Sequence, residues 1–145
     1  MKRFLFSFFF LLTSHIHAQE LYFKPSAAFQ DLPSLETYRT LQDSKGRIWV
    51  CSDAGVSRYD GNTLTRFTTK DGLPENVALM MYEDKKGRVW FCTLSGLFCY
   101  YDNNSFHSIT ANPILKNYYH GTSIRSFFIG EKDTLYFGLL DYVHE

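Results

Sequence analysis

Two adjacent acids, Glu83 and Asp84, and the three histidines that follow residue 18, His107, His120 and His144, are of types that suit proton transfer. The histidines lie 13 and 24 residues apart in different segments, a spacing that suits surface or connector positions better than a catalytic base. Trp49 and Trp90 have ring faces that could stack on a sugar, and Arg47 and Arg88 could either meet a ligand or lay their stems over aromatic rings. Cys51 and Cys92 read as small buried fillers or, more sharply, as a disulfide between neighbouring repeats. No histidine sits at ligand spacing from them, which leaves metal binding unsupported. A Gly-rich phosphate loop, a Gly-x-Ser-x-Gly elbow and a His-Glu-x-x-His helix are all absent. On these grounds no catalytic, cofactor-binding or metal-binding residue is assigned, no cofactor is expected, and the chain is not expected to be an enzyme.

The strongest reason for withholding catalytic roles is positional. The segment Asp43-Ser-Lys-Gly-Arg-Ile-Trp-Val-Cys-Ser52, continuing to Gly55-Val56 and Tyr59, returns 41 residues later as Asp84-Lys-Lys-Gly-Arg-Val-Trp-Phe-Cys-Thr93, continuing to Gly96-Leu97 and Tyr100. Eight of the 17 positions are identical, and Leu32-Pro33 matches Leu73-Pro74 upstream, so the period extends beyond one motif. A residue such as Asp84 that recurs as Asp43 at the start of a turn has a structural duty in both copies. A unit of this length cannot bury a core alone and must stack on its neighbours.

Each unit resolves into four short apolar segments divided by turn signals. In the first they are Thr37 to Gln42, Arg47 to Ser52, Val56 to Tyr59 and Leu64 to Thr68; in the second, Val77 to Glu83, Arg88 to Thr93, Leu97 to Tyr101 and Phe106 to Ile109. Asp43-Ser-Lys-Gly46 and Asp84-Lys-Lys-Gly87 are hairpin turns, because Asp accepts a backbone hydrogen bond two residues on and Gly tolerates left-handed backbone. Ile48-Trp49-Val50-Cys51 and Val89-Trp90-Phe91-Cys92 are apolar on both faces of a strand, so each lies between two sheets rather than against water. Four antiparallel strands per unit, stacked sheet on sheet, describe a β-propeller blade. A looser stretch, Thr110 to Thr122, reads as a long connection. Ile124 to Ile129, the turn Gly130 to Asp133 and Leu135-Tyr136-Phe137-Gly138 then begin a third unit, with Tyr136 placed 46 residues after Trp90. The expected fold class is all-β: a partial β-propeller of about three four-stranded antiparallel blades, near 31–68, 72–109 and 123–145, the last incomplete. Closed propellers have at least four blades. Three cannot close a ring, which leaves a front piece of a longer protein, an assembly of copies, or a truncated reading frame. An open stack would expose two apolar blade faces, so self-association is expected.

Residues 1–18 stand outside the repeat. Lys2 and Arg3, an apolar run from Phe4 to Leu12 and a small residue at Ala18 describe a secretory signal peptide, with a retained membrane anchor as the alternative. The run is too short to span a bilayer, which takes about 20 apolar residues. Residues 19–145 would then form the propeller portion. Without Lys2 and Arg3, 13 basic residues face 15 acidic ones, which gives no electrostatic footprint for nucleic acid. Three cysteines cannot form a disulfide framework.

The pattern Asp-x-x-Gly-Arg-Ile/Val-Trp-Val/Phe-Cys-Ser/Thr, with the link Asp71-Gly-Leu-Pro-Glu-Asn76, resembles the two-component regulator propeller repeat. The likeness is strong over 31–109 and weaker over 124–142, and Cys51 and Cys92 replace the glycine usual in that family. The resemblance implies the periplasmic sensor portion of a bacterial, Bacteroidetes-type sensor histidine kinase. It also implies glycan fragments or another small molecule as ligand, bound through blades outside this chain, and the remainder of a membrane receptor as partner. The kinase itself has no counterpart in these residues. Two further readings stay open: the N-terminal piece of a secreted propeller enzyme, a lyase or hydrolase, and a non-functional sensor fragment.

Overall fold

The computed structural model describes residues 29–118 and 123–140. The expected signal peptide at 1–18 lies outside the described residues. Three antiparallel sheets follow one another along the chain. The first is β1 (Thr37–Gln42), β2 (Ile48–Ser52), β3 (Gly55–Tyr59) and β4 (Leu64–Phe67), side by side in that order. The second is β5 (Ala78–Glu83), β6 (Val89–Thr93), β7 (Phe98–Asp102) and β8 (Ser105–Ser108), again in chain order. The third pairs β9 (Ser123–Ile129) with β10 (Leu135–Leu140).

The third unit is a true repeat despite its longer interval. In β1 the ladder skips Tyr38, in β5 it skips Leu79, and in β9 it skips Arg125. The same β-bulge thus sits at the same place in every first strand, where it bends the strand and increases its twist. The interval grows from 41 to 46 because the turn before β7 is one residue longer and the connection between the second and third sheets takes up the rest. The long connection expected for Thr110 to Thr122 contains a short helix, α1 (Asn112–Tyr118). Pro113 is harmless in its first turn, where no intrahelical N–H is needed. The Leu115 N–H bonds to the Ala111 carbonyl at 2.9 Å, and the Asn112 side chain clips both the N–H (2.9 Å) and the carbonyl (2.8 Å) of Phe98.

The two-faced strands do what their patterning requires. Trp49 and Cys51 of β2 meet Met81, Val89, Phe91 and Tyr101 of the second sheet in one buried cluster. Cys92 and Phe98, on the opposite face of that sheet, join Met80 in a second cluster, against which Ile124, Phe127 and Leu135 of the third sheet pack. A one-residue slip separates the two copies. Ser52 pairs with Gly55 across a two-residue turn, whereas Thr93 N–H bonds to the Leu97 carbonyl across a three-residue one. Consequently Tyr101, which pairs with Val89, is the counterpart of Tyr59, which pairs with Ile48. The alignment of Tyr59 with Tyr100 and of Val56 with Leu97 is corrected accordingly. The extra residue is absorbed in the turn, outside the ladder, and a shift of one moves a side chain to the other face.

The links between blades are equally specific. Thr68 and Asp71 cap a single 3-10 turn reciprocally, and Gly72 ends it at φ 104°. Leu73 then drops into the first cluster. The Glu75 carboxylate accepts the Ser95 N–H at 3.0 Å, and Asn76 Oδ1 accepts the Thr69 N–H at 2.9 Å.

Cys51 and Cys92 occupy successive interfaces, not one, so the inter-repeat disulfide does not form; all three cysteines are free and buried. Burial pushes the Cys92 thiol up to about 12, and those of Cys51 and Cys99 up as well. The folded protein is expected to leave a chromogenic disulfide reagent almost unreacted at pH 8, and to release three equivalents in denaturant. Fast reaction of any of the three in the native state would contradict this packing.

Candidate functional site

The acids that open the sequence argument are turned to different tasks. Asp84 begins the β5–β6 hairpin and is buried. Its Oδ1 accepts the backbone N–H groups of Lys86 (2.9 Å) and Arg88 (3.0 Å), and its Oδ2 accepts Arg88 Nε–H (2.7 Å) and the Trp90 indole N–H (2.8 Å). Asp43 repeats the arrangement with Lys45, Arg47 and Trp49, at 3.0, 2.9, 2.7 and 2.7 Å. Arg47 lies over the Trp49 ring, and Arg88 over Trp90 and Tyr100. The two arginines therefore follow the ring-covering alternative. A carboxylate that already accepts four hydrogen bonds, two of them from an arginine, is poorly suited to proton transfer. Burial alone would raise the pKa of Asp43. The Trp49 hydrogen bond, then the backbone and side-chain bonds of Arg47, outweigh that and hold it below its ordinary value. The same balance, with Trp90 and Arg88, lowers Asp84.

Glu83 points elsewhere. Its carboxylate crosses to the first blade and accepts the Ser44 N–H and the Ser44 hydroxyl. Its role is an inter-blade staple that strand spacing alone did not reveal. His107 is exposed and stacks on Tyr100; His120 and His144 lie outside the described residues. Trp49 and Trp90 are buried, as core positions should be. Among the described residues no group of three or more His, Cys, Asp and Glu could hold a metal ion.

Arg58, which the repeat did not single out, is a half-buried cation of the first interface. Its guanidinium lies over Trp49, Phe67 and Tyr101 and donates to the Tyr101 hydroxyl at 2.7 Å. The residue paired with Trp90 at the corresponding place is Tyr100, so only the slipped register exposes this difference.

A concavity lies between the second and third sheets, at the end carrying the β5–β6 and β9–β10 hairpins. It measures about 550 Å³ and includes Tyr82, Lys85, Lys132, Phe128 and Tyr136 in its walls. Across its floor Asp133 accepts from Lys86 Nζ (2.8 Å) and Arg88 Nη2 (2.6 Å), which ties the third unit to the second. Those bonds hold the exposed Asp133 carboxyl below its ordinary range. The sequence marks this place only as a turn, Gly130 to Asp133. In that turn two consecutive non-glycine residues, Lys132 (φ 56°) and Asp133 (φ 59°), adopt left-handed backbone, which no residue type there announces.

Comparison with known proteins agrees with this architecture. Residues 72–95 match the family described as two component regulator propeller. That segment, which is similar to a two component regulator propeller repeat, is the Gly-Leu-Pro-Glu-Asn link, the β5–β6 hairpin and the Trp90 strand. Among solved structures it is similar to the extracellular domain of a protein described as a hybrid two component system, from B. thetaiotaomicron. The two share 19% identity at a TM-score of 0.58 over 74% of this chain and 14% of that one. The likeness shows the fold, a partial propeller, and the chain spans about 14% of that structure's length. No curated protein matches. Among the described residues no helix is long and apolar enough to cross a membrane.

The aspartates set a pH dependence. Both folded-state pKa values are depressed from 3.8, so their stabilisation is complete above the unfolded value and is lost as pH falls through the lower folded value. Urea midpoints measured from pH 6 down to pH 2.5 are expected to fall steeply below about pH 4. Asp84→Asn is expected to lower stability at pH 7 by about 2–4 kcal/mol and to flatten that acid limb. A variant with an unchanged acid limb would contradict the assignment.

Proposed function

We propose that this chain is an extracytoplasmic ligand-sensing module of a two-component signal-transduction receptor. One observation carries the reading: the match of residues 72–95 to the two component regulator propeller repeat, centred on the hairpin that organises the second blade. The extracellular setting of the similar solved structure supports an exported, periplasmic location, in line with the signal peptide read at residues 1–18. The chain itself performs no catalysis on this reading; Asp43, Asp84, Arg47 and Arg88 are consumed in holding turns and rings. Its partners are a small-molecule ligand, a glycan or another compound, and the remainder of a membrane receptor.

Blade stacking supplies a physical route for a signal. Ligand bound across the loops at one end of the stack would change how neighbouring blades sit, and among the described residues the polar links across the seams include Glu83 to Ser44, Arg58 to Tyr101 and Asp133 to Lys86 and Arg88. The third unit supports self-association or coverage by further blades. Phe128, Tyr136, Leu139 and Leu140 are 40–51% exposed there, an apolar surface that a lone soluble body rarely presents.

An in-frame deletion of codons 29–140 in the native host tests the proposal through transcript profiles on a panel of carbon sources. A defined set of genes is expected to lose induction on one or a few of them. Unchanged profiles on every source, together with loss of a secreted lyase or hydrolase activity, would favour the enzymatic alternative instead.

A further inference from the structure

The two inter-blade seams are built from one repeat, and at the hairpin end they differ. At the first, the Glu83 carboxylate at the end of β5 accepts the Ser44 N–H of the β1–β2 turn at 2.8 and 3.0 Å and the Ser44 hydroxyl at 2.6 Å. That turn is a carboxylate receptor whose occupant comes from the next blade. The β5–β6 turn is made the same way. Asp84 orders its backbone as Asp43 orders the first, and Gly87 at φ 75° matches Gly46 at φ 79°. Lys85 stands where Ser44 stands. Glu83 pairs with Val89 and Ile129 pairs with Leu135, so Ile129 holds the place of Glu83 in the third unit. The second seam therefore has the receptor turn with an apolar residue opposite it. Among the described residues the Lys85 N–H has no hydrogen-bond acceptor. Asp133 does not substitute, because its carboxylate is engaged by the Lys86 and Arg88 side chains.

The Lys85 turn instead borders the groove of about 550 Å³. Phe128 and Tyr136 contribute a parallel ring pair, with centroids 4.8 Å apart and planes 5° apart, half-exposed on its wall. Lys85 and Lys132 make no ion pair among the described residues, whereas Lys86 and Arg88 do. Glu131 lies on the same wall and opposes an anion.

We propose that this groove binds a small organic carboxylate carrying a flat ring. The carboxylate accepts the Lys85 N–H as Glu83 accepts that of Ser44, the Lys85 and Lys132 ammonium groups complement its charge, and the ring lies against the Phe128 and Tyr136 edge of the groove. This deepens the sensor reading and rests on it only for the purpose of binding. A direct binding measurement fails or succeeds independently of any signalling assay.

The test is a titration of the ¹⁵N-labelled chain with phenylacetate, with 2-phenylethanol as the neutral counterpart. Phenylacetate is expected to shift the Lys85 amide saturably and to bind about tenfold more tightly than the alcohol, the margin of a charge-assisted hydrogen bond. Lys85→Pro removes the N–H at a turn position that suits proline and is expected to weaken binding about tenfold. Lys85→Gln keeps the N–H and should weaken it only about twofold to threefold, the share of an exposed charge. Ile129→Glu supplies the carboxylate from within and should abolish binding. Equal affinity for acid and alcohol, full binding by a natively folded Lys85→Pro, or shifts confined to another surface would each overturn the proposal. Should Lys85→Pro lose its native spectrum, full phenylacetate binding by Ile129→Glu overturns it instead.

Discussion

A buried aspartate at the head of a hairpin, saturated with hydrogen bonds, is the interaction on which each complete blade depends. Taking a carboxylate out of water costs several kcal/mol unless its lone pairs are filled. Asp43 and Asp84 each fill theirs with two turn amides, an arginine Nε–H and a tryptophan indole N–H. One group thereby fixes the turn, the start of the second strand and the orientation of that strand's largest side chain. The arginine is shared between the carboxylate and the ring faces, so charge, turn and core are set together.

From that point the stack follows. With the tryptophan oriented, the second strand presents one apolar face to each neighbour, and successive blades bury successive clusters. Polar staples at the hairpin end add register between blades but use different partners. A carboxylate reaches a backbone amide at the first seam, and a carboxylate reaches two cationic side chains at the second.

Much of this was legible in the residues. Strand windows in the first two blades were readable because turn residues bracket each apolar run, and the both-faces-apolar strand named the stacking. The roles of Asp43 and Asp84 as turn residues were legible from their recurrence, although their grip on the indoles was not, because it joins residues six apart through side chains. The one-residue slip before β7 escaped because a turn can absorb an insertion without altering the pattern of apolar residues around it. The helix over Asn112–Tyr118 escaped because Pro and Asn mark a helix start as well as a loop. Glu83 as a staple, and the absence of its counterpart at Ile129, required the ladder pairings; no spacing rule places an end-of-strand carboxylate on the turn of the preceding blade.

The central claim, that the aspartate and the indole act as one unit, is most directly tested by a double-mutant cycle of Asp84→Asn and Trp90→Phe, read by urea unfolding at pH 7. The account expects a coupling energy of about 1.5–3 kcal/mol, the range for a hydrogen bond to a charged group. Additive effects, within about 0.3 kcal/mol, would show that the carboxylate and the tryptophan stabilise the blade independently and would contradict it.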